Sequence, residues 1–438
     1  MSKILKINRK IDSFKKIINV EGDKSLSIRW VLISSLSKKK SIALNLLKSE
    51  DVMNAINCIK LLGSKVKLSK NKCEIIGNGL HQNYKKKLVL NAGNSGTLGR
   101  LILGLLINSN KKIRLIGDKS LSKRDFSRVT IPLKKFGAEF NRSKNLPLEM
   151  KGTNNPKPIN YLEKKGSAQC KTTIMLAALK SEGVTTIKAK KSRDHTELMF
   201  KYLKIPIIIK KNNKKFDQIK IHGVKKVSPL NYKIPGDISS CAFFIVLTLL
   251  SKNSQLLIKN ININPTRIGI IKILKMMGGS IKFLNKRSYK GEKISDIFIK
   301  SSKNLKGINC PVRFNSSAID EFLVIFLVAA RSRGTSYFKD LSELNQKESP
   351  RLQWASKILK YMGIRNVMTK NSIKIFGNPN LEIKKKISIK NFSKDHRVFM
   401  MSVIAALTCG GKWKINDLDS INTSFPKFLE ILKKIKHQ

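Results

Sequence analysis

Gly22-Asp23-Lys24-Ser25-Leu26-Ser27-Ile28-Arg29 runs without a break into the apolar stretch Trp30–Leu36. A polar turn ending in Asp or Ser and passing into apolar residues signals a helix start, because the short side chain accepts from unpaired first-turn N–H groups. The same arrangement recurs five times. Gly93-Asn94-Ser95-Gly96-Thr97 precedes Leu101–Ile107, Gly166-Ser167-Ala168-Gln169 precedes Thr173–Leu179, and Gly236-Asp237-Ile238-Ser239-Ser240 precedes Ala242–Leu250. Ser317-Ala318-Ile319-Asp320-Glu321 precedes Phe322–Ala330, and Lys394-Asp395-His396-Arg397 precedes Val398–Leu407. The six anchors begin roughly 70 to 80 residues apart, the mark of an internal repeat.

A second helix is expected in each unit: Asp51–Leu62, Arg128–Phe136, Thr196–Leu203, Ile268–Met277, Leu352–Met362 and Phe425–Ile435. Four of them stop at a glycine, Gly63, Gly137, Gly278 and Gly363, as expected of a helix C-terminus. Short Ile/Val-rich stretches between helices read as strands: Lys65–Leu68, Ile113–Ile116, Ile205–Ile209, Ser280–Phe283, Ile297–Ile299 and Ile373–Phe376. Any α/β chain alternates in this way to some extent, but six polar anchors at near-constant spacing favour a true repeat. The expectation is an α/β fold of six similar units, three in each of two domains.

The chain has 438 residues, of which 41% are hydrophobic and 26% charged, so it can bury a large core. It has no apolar run of about 18 residues and no apolar N-terminal leader. The six cysteines, 58, 73, 170, 241, 310 and 409, form no CxxC pair, which fits a reducing cytoplasm. The formal net charge is +60. Lys supplies 72 of the 88 basic residues and Arg only 16, and the lysines are spread along the whole chain. With Asn and Ile also abundant, compositional bias explains the charge better than a nucleic-acid surface, which would cluster it and interleave aromatics. A chain with only 28 acidic residues makes an acid beside a motif more informative.

Helix N-termini carry partial positive charge and free N–H groups. Six anchors facing a shared cleft, with Lys24, Arg29, Arg100 and Arg397 among them, suit a small, multiply charged, phosphorylated anion. Gly96 permits close approach of backbone to such a ligand. Asp320 and Glu348 are two carboxylates near cations, the pair that proton abstraction and donation require. Asp320 reads equally well as a plain helix cap, and Glu348 as a surface ion-pair partner. The histidines 81, 195, 222, 396 and 437 have no metal-ligand spacing, and neither a Walker P-loop, a Rossmann fingerprint nor a GxSxG elbow is present.

In order along the chain stand Gly22-Asp23-Lys24-Ser25…Arg29, Asn94-Ser95-Gly96-Thr97…Arg100, Arg124, Ser167-Ala168-Gln169 and Ser192-Arg193-Asp194-His195-Thr196-Glu197. Pro235-Gly236-Asp237-Ile238-Ser239-Ser240, Asn264-Pro265-Thr266-Arg267, Ile319-Asp320-Glu321, Lys347-Glu348-Ser349, Asp395-His396-Arg397 and Ser424-Phe425-Pro426 follow. Together they resemble the EPSP synthases, members of the enolpyruvyl transferase family, across nearly the whole chain. The resemblance implies a two-domain inside-out α/β barrel of six βαβαββ units. It puts residues 1–21 plus 236–438 in one domain and 22–235 in the other, with the active site in the cleft between them.

The implied reaction transfers the enolpyruvyl group of phosphoenolpyruvate to the 5-hydroxyl of shikimate 3-phosphate and releases phosphate, with no metal or other cofactor. The implied catalytic residues are Asp320, Glu348 and Lys24. Lys24, Ser25, Arg29, Ser167, Ala168, Gln169, Ser192, Arg193, Asp320 and Lys347 are implied for shikimate 3-phosphate. Lys24, Asn94, Gly96, Arg124, Gln169, Arg351 and Arg397 are implied for phosphoenolpyruvate. A cytoplasmic monomer without a membrane or specific nucleic-acid partner is expected. The chain departs from the family pattern at Ile28, Asp125-Phe126, Leu323, Asn345-Gln346, Pro350 and Thr423-Ser424, and Pro350 bears directly on where Arg351 points. The rival readings are a catalytically weakened homologue, a UDP-N-acetylglucosamine enolpyruvyl transferase, and a basic nucleic-acid-binding protein. The second of these calls for a reactive loop cysteine.

Overall fold

A computed structural model describes residues 3–80, 88–211 and 215–436; His81 and His437 lie outside these. The chain forms two compact units. A terminal unit comprises Met1–Glu21, Pro235–Tyr289 and Lys293–Gln438, and a middle unit comprises Gly22–Ile234 and Lys290–Glu292.

Each unit holds three sheets among the described residues, all four-stranded in the middle unit, one four-stranded and two three-stranded in the terminal unit. In the middle unit, Leu88–Asn91 pairs parallel with Ile113–Ile116, which pairs antiparallel with Leu148–Lys151, which pairs with Glu139–Phe140. Asn160–Glu163, Val184–Lys190, Phe216–His222 and Ile207–Lys210 repeat that order. The third sheet repeats it with Lys40–Leu44, Lys72–Ile76 and Lys65–Leu68, but its first strand is Tyr232–Lys233 from the far end of the unit.

The terminal unit has matching exchanges. Lys15–Asn19 supplies the parallel strand beside Gln255–Asn262, which pairs antiparallel with Glu292–Lys300. Lys306 and Asn309 bridge in parallel to Arg333 and Tyr337, next to the sheet of Thr335–Phe338, Ile373–Phe376 and Asn366–Met368. Ile383–Ile389 pairs with Gly410–Ile415, whose other edge takes Leu5–Ile7. Four sheets thus carry four strands in the βαβαββ order, while the Thr335–Phe338 and Ile383–Ile389 sheets carry three, the former with isolated bridges in place of its first strand.

Helices, not strands, occupy the centre of each unit. Every residue of Ile238–Leu250, Phe322–Ala330 and His396–Cys409 is buried. These three helices pack on one another. A helix apolar on all sides has no solvent face, so it must lie inside. In the middle unit Gly96–Leu105 packs against both Lys24–Ser34 and Ala168–Ala178. The second helices are one-sided, as in Arg351–Tyr361, which buries Leu352, Ala355, Ile358 and Leu359. No helix among the described residues is long and apolar enough to cross a membrane.

Five of the six anchors cap their helix. Asp23, Ser95, Ser167, Asp237 and Asp395 accept from the backbone N–H of Leu26, Leu98, Cys170, Ser239 and Arg397 at 2.8–3.3 Å. Gly63, Gly137, Gly278 and Gly363 all take positive φ, between 84° and 108°, just past the helices they end. The last helix begins at Phe428 and not at Phe425, because Pro426 disfavours helical backbone in the residue before it. Pro206 has no N–H to donate to a ladder, and the strand expected from Ile205 begins at Ile207 and runs to Lys210. The Ser280–Phe283 stretch is longer than its apolar pattern suggested, extending to Tyr289 along a mostly exposed edge.

One repeated feature escaped the sequence reading. The last strand of four units is followed directly by Gly77, Gly152, Gly223 or Gly377. A Cβ at these positions would lie 2.0–2.2 Å from the carbonyl oxygen of Ser35, Ile107, Ser181 or Ser332, just beyond a central helix. The sheet and its central helix approach backbone to backbone there. Gly377→Ala therefore forces apart the Ser332 and Ala329 carbonyls and should cost about 1–3 kcal/mol, read as a lower midpoint of denaturant unfolding.

Candidate active site

The polar residues of the anchors gather at the N-terminal ends of the central helices, forming one set in each unit. In the middle unit Lys24 Nζ lies 2.9 Å from Asp51 Oδ2, on the first turn of the next helix. Arg29 is buried at 3% exposure. Its Nε donates to Thr196 Oγ1 at 2.9 Å and its NH2 to Thr172 Oγ1 at 3.3 Å, and the two hydroxyls are 2.7 Å apart. Lys171 and Glu197 form a buried ion pair beside them.

A second chain of bonds joins the Asn94 and Ser167 anchors. Arg100 NH1 donates to Gln169 Oε1 at 2.6 Å, and Gln169 Nε2 donates to Thr97 Oγ1 at 3.0 Å. Arg100 also reaches the Asp125 carbonyl at 3.0 Å and stacks over Phe126 at 5.2 Å. Arg124 NH2 donates to Asn94 Oδ1 at 2.8 Å, and Asn94 donates in turn to Asp118 at 2.5 Å. Between the two guanidiniums lies Gly96: a Cβ there would be 3.1 Å from Arg124 and 3.2 Å from Arg100. The Gly117-Asp118-Lys119-Ser120 stretch, which looks like the first anchor, only starts a short 3-10 turn, with Asp118 bracing Asn94.

In the terminal unit, Asp320 Oδ1 lies 3.2 Å from Lys347 Nζ and 3.6 Å from Arg351 NH1. Glu348 bonds Arg351 NH2. Arg351, 2% exposed, is held from the other side by Asp395, with Nε donating at 2.9 Å. Ser349 bonds the same carboxylate at 2.9 Å. Burial alone would lower the Arg351 pKa, but Asp395, then Glu348 and Asp320, outweigh it and raise it above its ordinary value. Arg397 NH1 donates to the Asp320 carbonyl at 2.7 Å and lies 3.9 Å from Glu321. Glu321 accepts from Ser239, which also accepts from Arg267 at 2.8 Å.

Asp320 is therefore not a plain cap. Glu321 holds the N-cap position of Phe322–Ala330, and Asp320 turns aside to the cations. Pro350 leaves Arg351 in place. It stands just outside the helix, where its missing N–H would have had no helical partner anyway, and its carbonyl accepts from Trp354 at 3.0 Å.

A profile of the family described as EPSP synthase (3-phosphoshikimate 1-carboxyvinyltransferase) matches residues 8–432. The 3-phosphoshikimate 1-carboxyvinyltransferase of Petrotoga mobilis is 37% identical over 425 residues, 96% of each chain. The chain belongs to the EPSP synthase family. The enzyme of the same name from Caldicellulosiruptor bescii is 38% identical, with 97% of this chain and 98% of its own covered. The EPSP synthase structure from Acinetobacter baumannii superposes with a TM-score of 0.86 at 32% identity, covering 99% of this chain and 98% of that one. The enolpyruvyl transferase NikO from Streptomyces tendae reaches 0.78 at 13% identity, covering 99% and 98%, a likeness of fold alone.

Within this EPSP synthase framework the structure brings Asn94, Gly96, Arg124 and Gln169 together in the middle unit, and Asp320, Lys347, Glu348, Arg351 and Arg397 in the terminal unit. Lys24, Ser25 and Arg29 share one helix start. Ser167 and Ala168 sit half-buried at the start of theirs, and Ser192 and Arg193 lie half-buried just before the His195–Tyr202 helix. Asp51, Thr172 and Glu321, which contact Lys24, Arg29 and Arg397, were not singled out as site residues from the sequence. Asp51 had one available signal, an acidic first-turn residue in an acid-poor chain. Removing the partner of a buried charge is costly, so Asp395→Ala should lower stability by about 3 kcal/mol or more in denaturant unfolding.

Proposed function

We propose that this chain works as a 3-phosphoshikimate 1-carboxyvinyltransferase, joining phosphoenolpyruvate to the 5-hydroxyl of shikimate 3-phosphate. The observation that carries the reading is the terminal-unit cluster: two carboxylates, Asp320 and Glu348, on one guanidinium, Arg351, with Lys347 and Arg397 beside them. Reversible addition across an enol needs one group to give a proton to carbon and another to take one from the attacking hydroxyl.

In this reading Asp320 accepts the 5-hydroxyl proton, and Lys347 holds the same substrate. The oxygen attacks C2 of phosphoenolpyruvate while Glu348 protonates C3. The tetrahedral adduct then returns a C3 proton to Glu348 and releases phosphate, which carries away the hydroxyl proton held by Asp320, so the atoms balance without a redox step. Arg351 and Arg397 take phosphoenolpyruvate in the terminal unit, and Asn94, Gly96 and Arg124 in the middle unit. A guanidinium accepts carboxylate or phosphate bidentately. A substrate anion that engages Arg351 loosens its bond to Glu348 and makes that carboxyl easier to protonate. Lys24 and Gln169 serve both substrates. Ser25, Arg29, Ser167, Ala168 through its backbone, Ser192 and Arg193 serve shikimate 3-phosphate.

The UDP-N-acetylglucosamine reading needs a reactive thiol. All six cysteines are buried. Burial pushes Cys58 and Cys170 up to about 12, far from thiolate formation at neutral pH.

Phosphate release from purified protein should require shikimate 3-phosphate and phosphoenolpyruvate together. Glu348→Gln should cut kcat by about a hundredfold to ten-thousandfold. Release with either substrate alone, or an unaffected variant, counts against the proposal. Gly96→Ala presses a methyl group on Arg124 and Arg100. It should raise KM for phosphoenolpyruvate about tenfold, one hydrogen bond's worth of binding, with KM for shikimate 3-phosphate unchanged.

A further inference from the structure

Three consecutive residues of the middle unit, Lys290, Gly291 and Glu292, lie against one stripe of the His195–Tyr202 helix. Glu292 Oε1 accepts from His195 Nδ1 at 2.6 Å, and both side chains are fully buried. A Cβ on Gly291 would lie 3.3 Å from Leu198 Cβ. Lys290 Nζ sits 4.5 Å above the Tyr202 ring and donates to the Asn231 carbonyl. Residues 195, 198 and 202 follow i, i+3, i+7 spacing, so they share a face of the helix.

The turn is tightly specified. Lys290 and Gly291 both take left-handed backbone, with φ of 50° and 86°, and they connect Ile281–Tyr289 to Glu292–Lys300. That conformation at both central positions defines a two-residue hairpin turn and aims the next residue, Glu292. A buried carboxylate is strongly disfavoured unless it is hydrogen-bonded, so the His195 contact pins the turn to the start of the helix.

The same first turn carries the groups that hold the substrate-side cations. Thr196 accepts from Arg29 Nε, and Glu197 pairs with Lys171. Ser192 and Arg193 come just before Asp194, the residue at the N-cap position of the helix. We infer that the Lys290-Gly291-Glu292 turn is a positioning element for the shikimate 3-phosphate pocket, with Glu292 acting through His195 to set Thr196 and Arg29. This rests on the proposed roles of Arg29, Ser192 and Arg193. Glu292 touches no reacting atom in it.

The test compares wild type with Glu292→Ala, Glu292→Gln and Lys290→Ala in the full chain. Glu292→Ala should raise KM for shikimate 3-phosphate about tenfold, the equivalent of one lost hydrogen bond, with kcat and the phosphoenolpyruvate KM unchanged. Glu292→Gln, whose amide oxygen still accepts from His195, should recover most of that loss. Amide hydrogen exchange over residues 192–202 should speed up in Glu292→Ala. An unchanged KM for shikimate 3-phosphate, or equal losses in kcat and both KM values, overturns the inference. Should Glu292→Ala fail to fold, Lys290→Ala decides by the same ratio of KM values, a selective rise supporting the inference and none rejecting it. If wild type neither binds nor turns over shikimate 3-phosphate, the proposed function fails instead. Exchange over 192–202 then still judges the clamp by itself: faster in Glu292→Ala supports it, unchanged rejects it.

Discussion

A guanidinium buried among apolar helices must find a carboxylate, or the fold cannot afford it. Arg351 and Arg267 are each 2% exposed, and Arg351 rests on Asp395 while Arg267 rests on Asp237. Both carboxylates also cap central helices, accepting from Arg397 and Ser239 N–H groups. One acid thus closes a helix start and neutralises a buried cation. The bodies of these helices are mostly apolar, so the ion-paired groups of the candidate site gather at or near their N-terminal ends. The location of the site follows from how the core is built.

This arrangement reconciles a net charge of +60 with an ordered cluster of opposite charges. Most lysines are exposed and raise the general attraction for anions. Several of the few acids lie where burial makes pairing compulsory. Lys24 with Asp51, Lys171 with Glu197 and Arg351 with Asp395 are ion pairs made within the protein. Under the proposed function such pairing fixes the donors that a substrate anion would meet, which is how electrostatic preorganisation lowers a barrier.

The capped helix starts, the glycine stops and the apolar central helices were legible because each depends on a few adjacent residues. Boundaries slipped where proline intervened, at Phe425 because Pro426 disfavours helical backbone before it, and at Ile205 because Pro206 has no N–H to give a ladder. The strand-end glycines were invisible as a set. Their common cause is a carbonyl on another element, and nothing beside Gly77 or Gly377 in the chain announces Ser35 or Ser332.

The order of residues alone carries the repeat, the α/β class and, through its motifs, the family, because those signals are local or recur in register. Which charge meets which is another matter. Arg29 finds Thr172 143 residues away, Arg100 finds Gln169 at 69, and Arg351 finds Asp395 at 44. His195 meets Glu292 across 97 residues. Such partners are selected by the cost of burying an unpaired charge or polar atom. That cost exists only once the core has closed, so tertiary structure alone could turn Asp320 from a helix cap into a partner of Lys347 and Arg351.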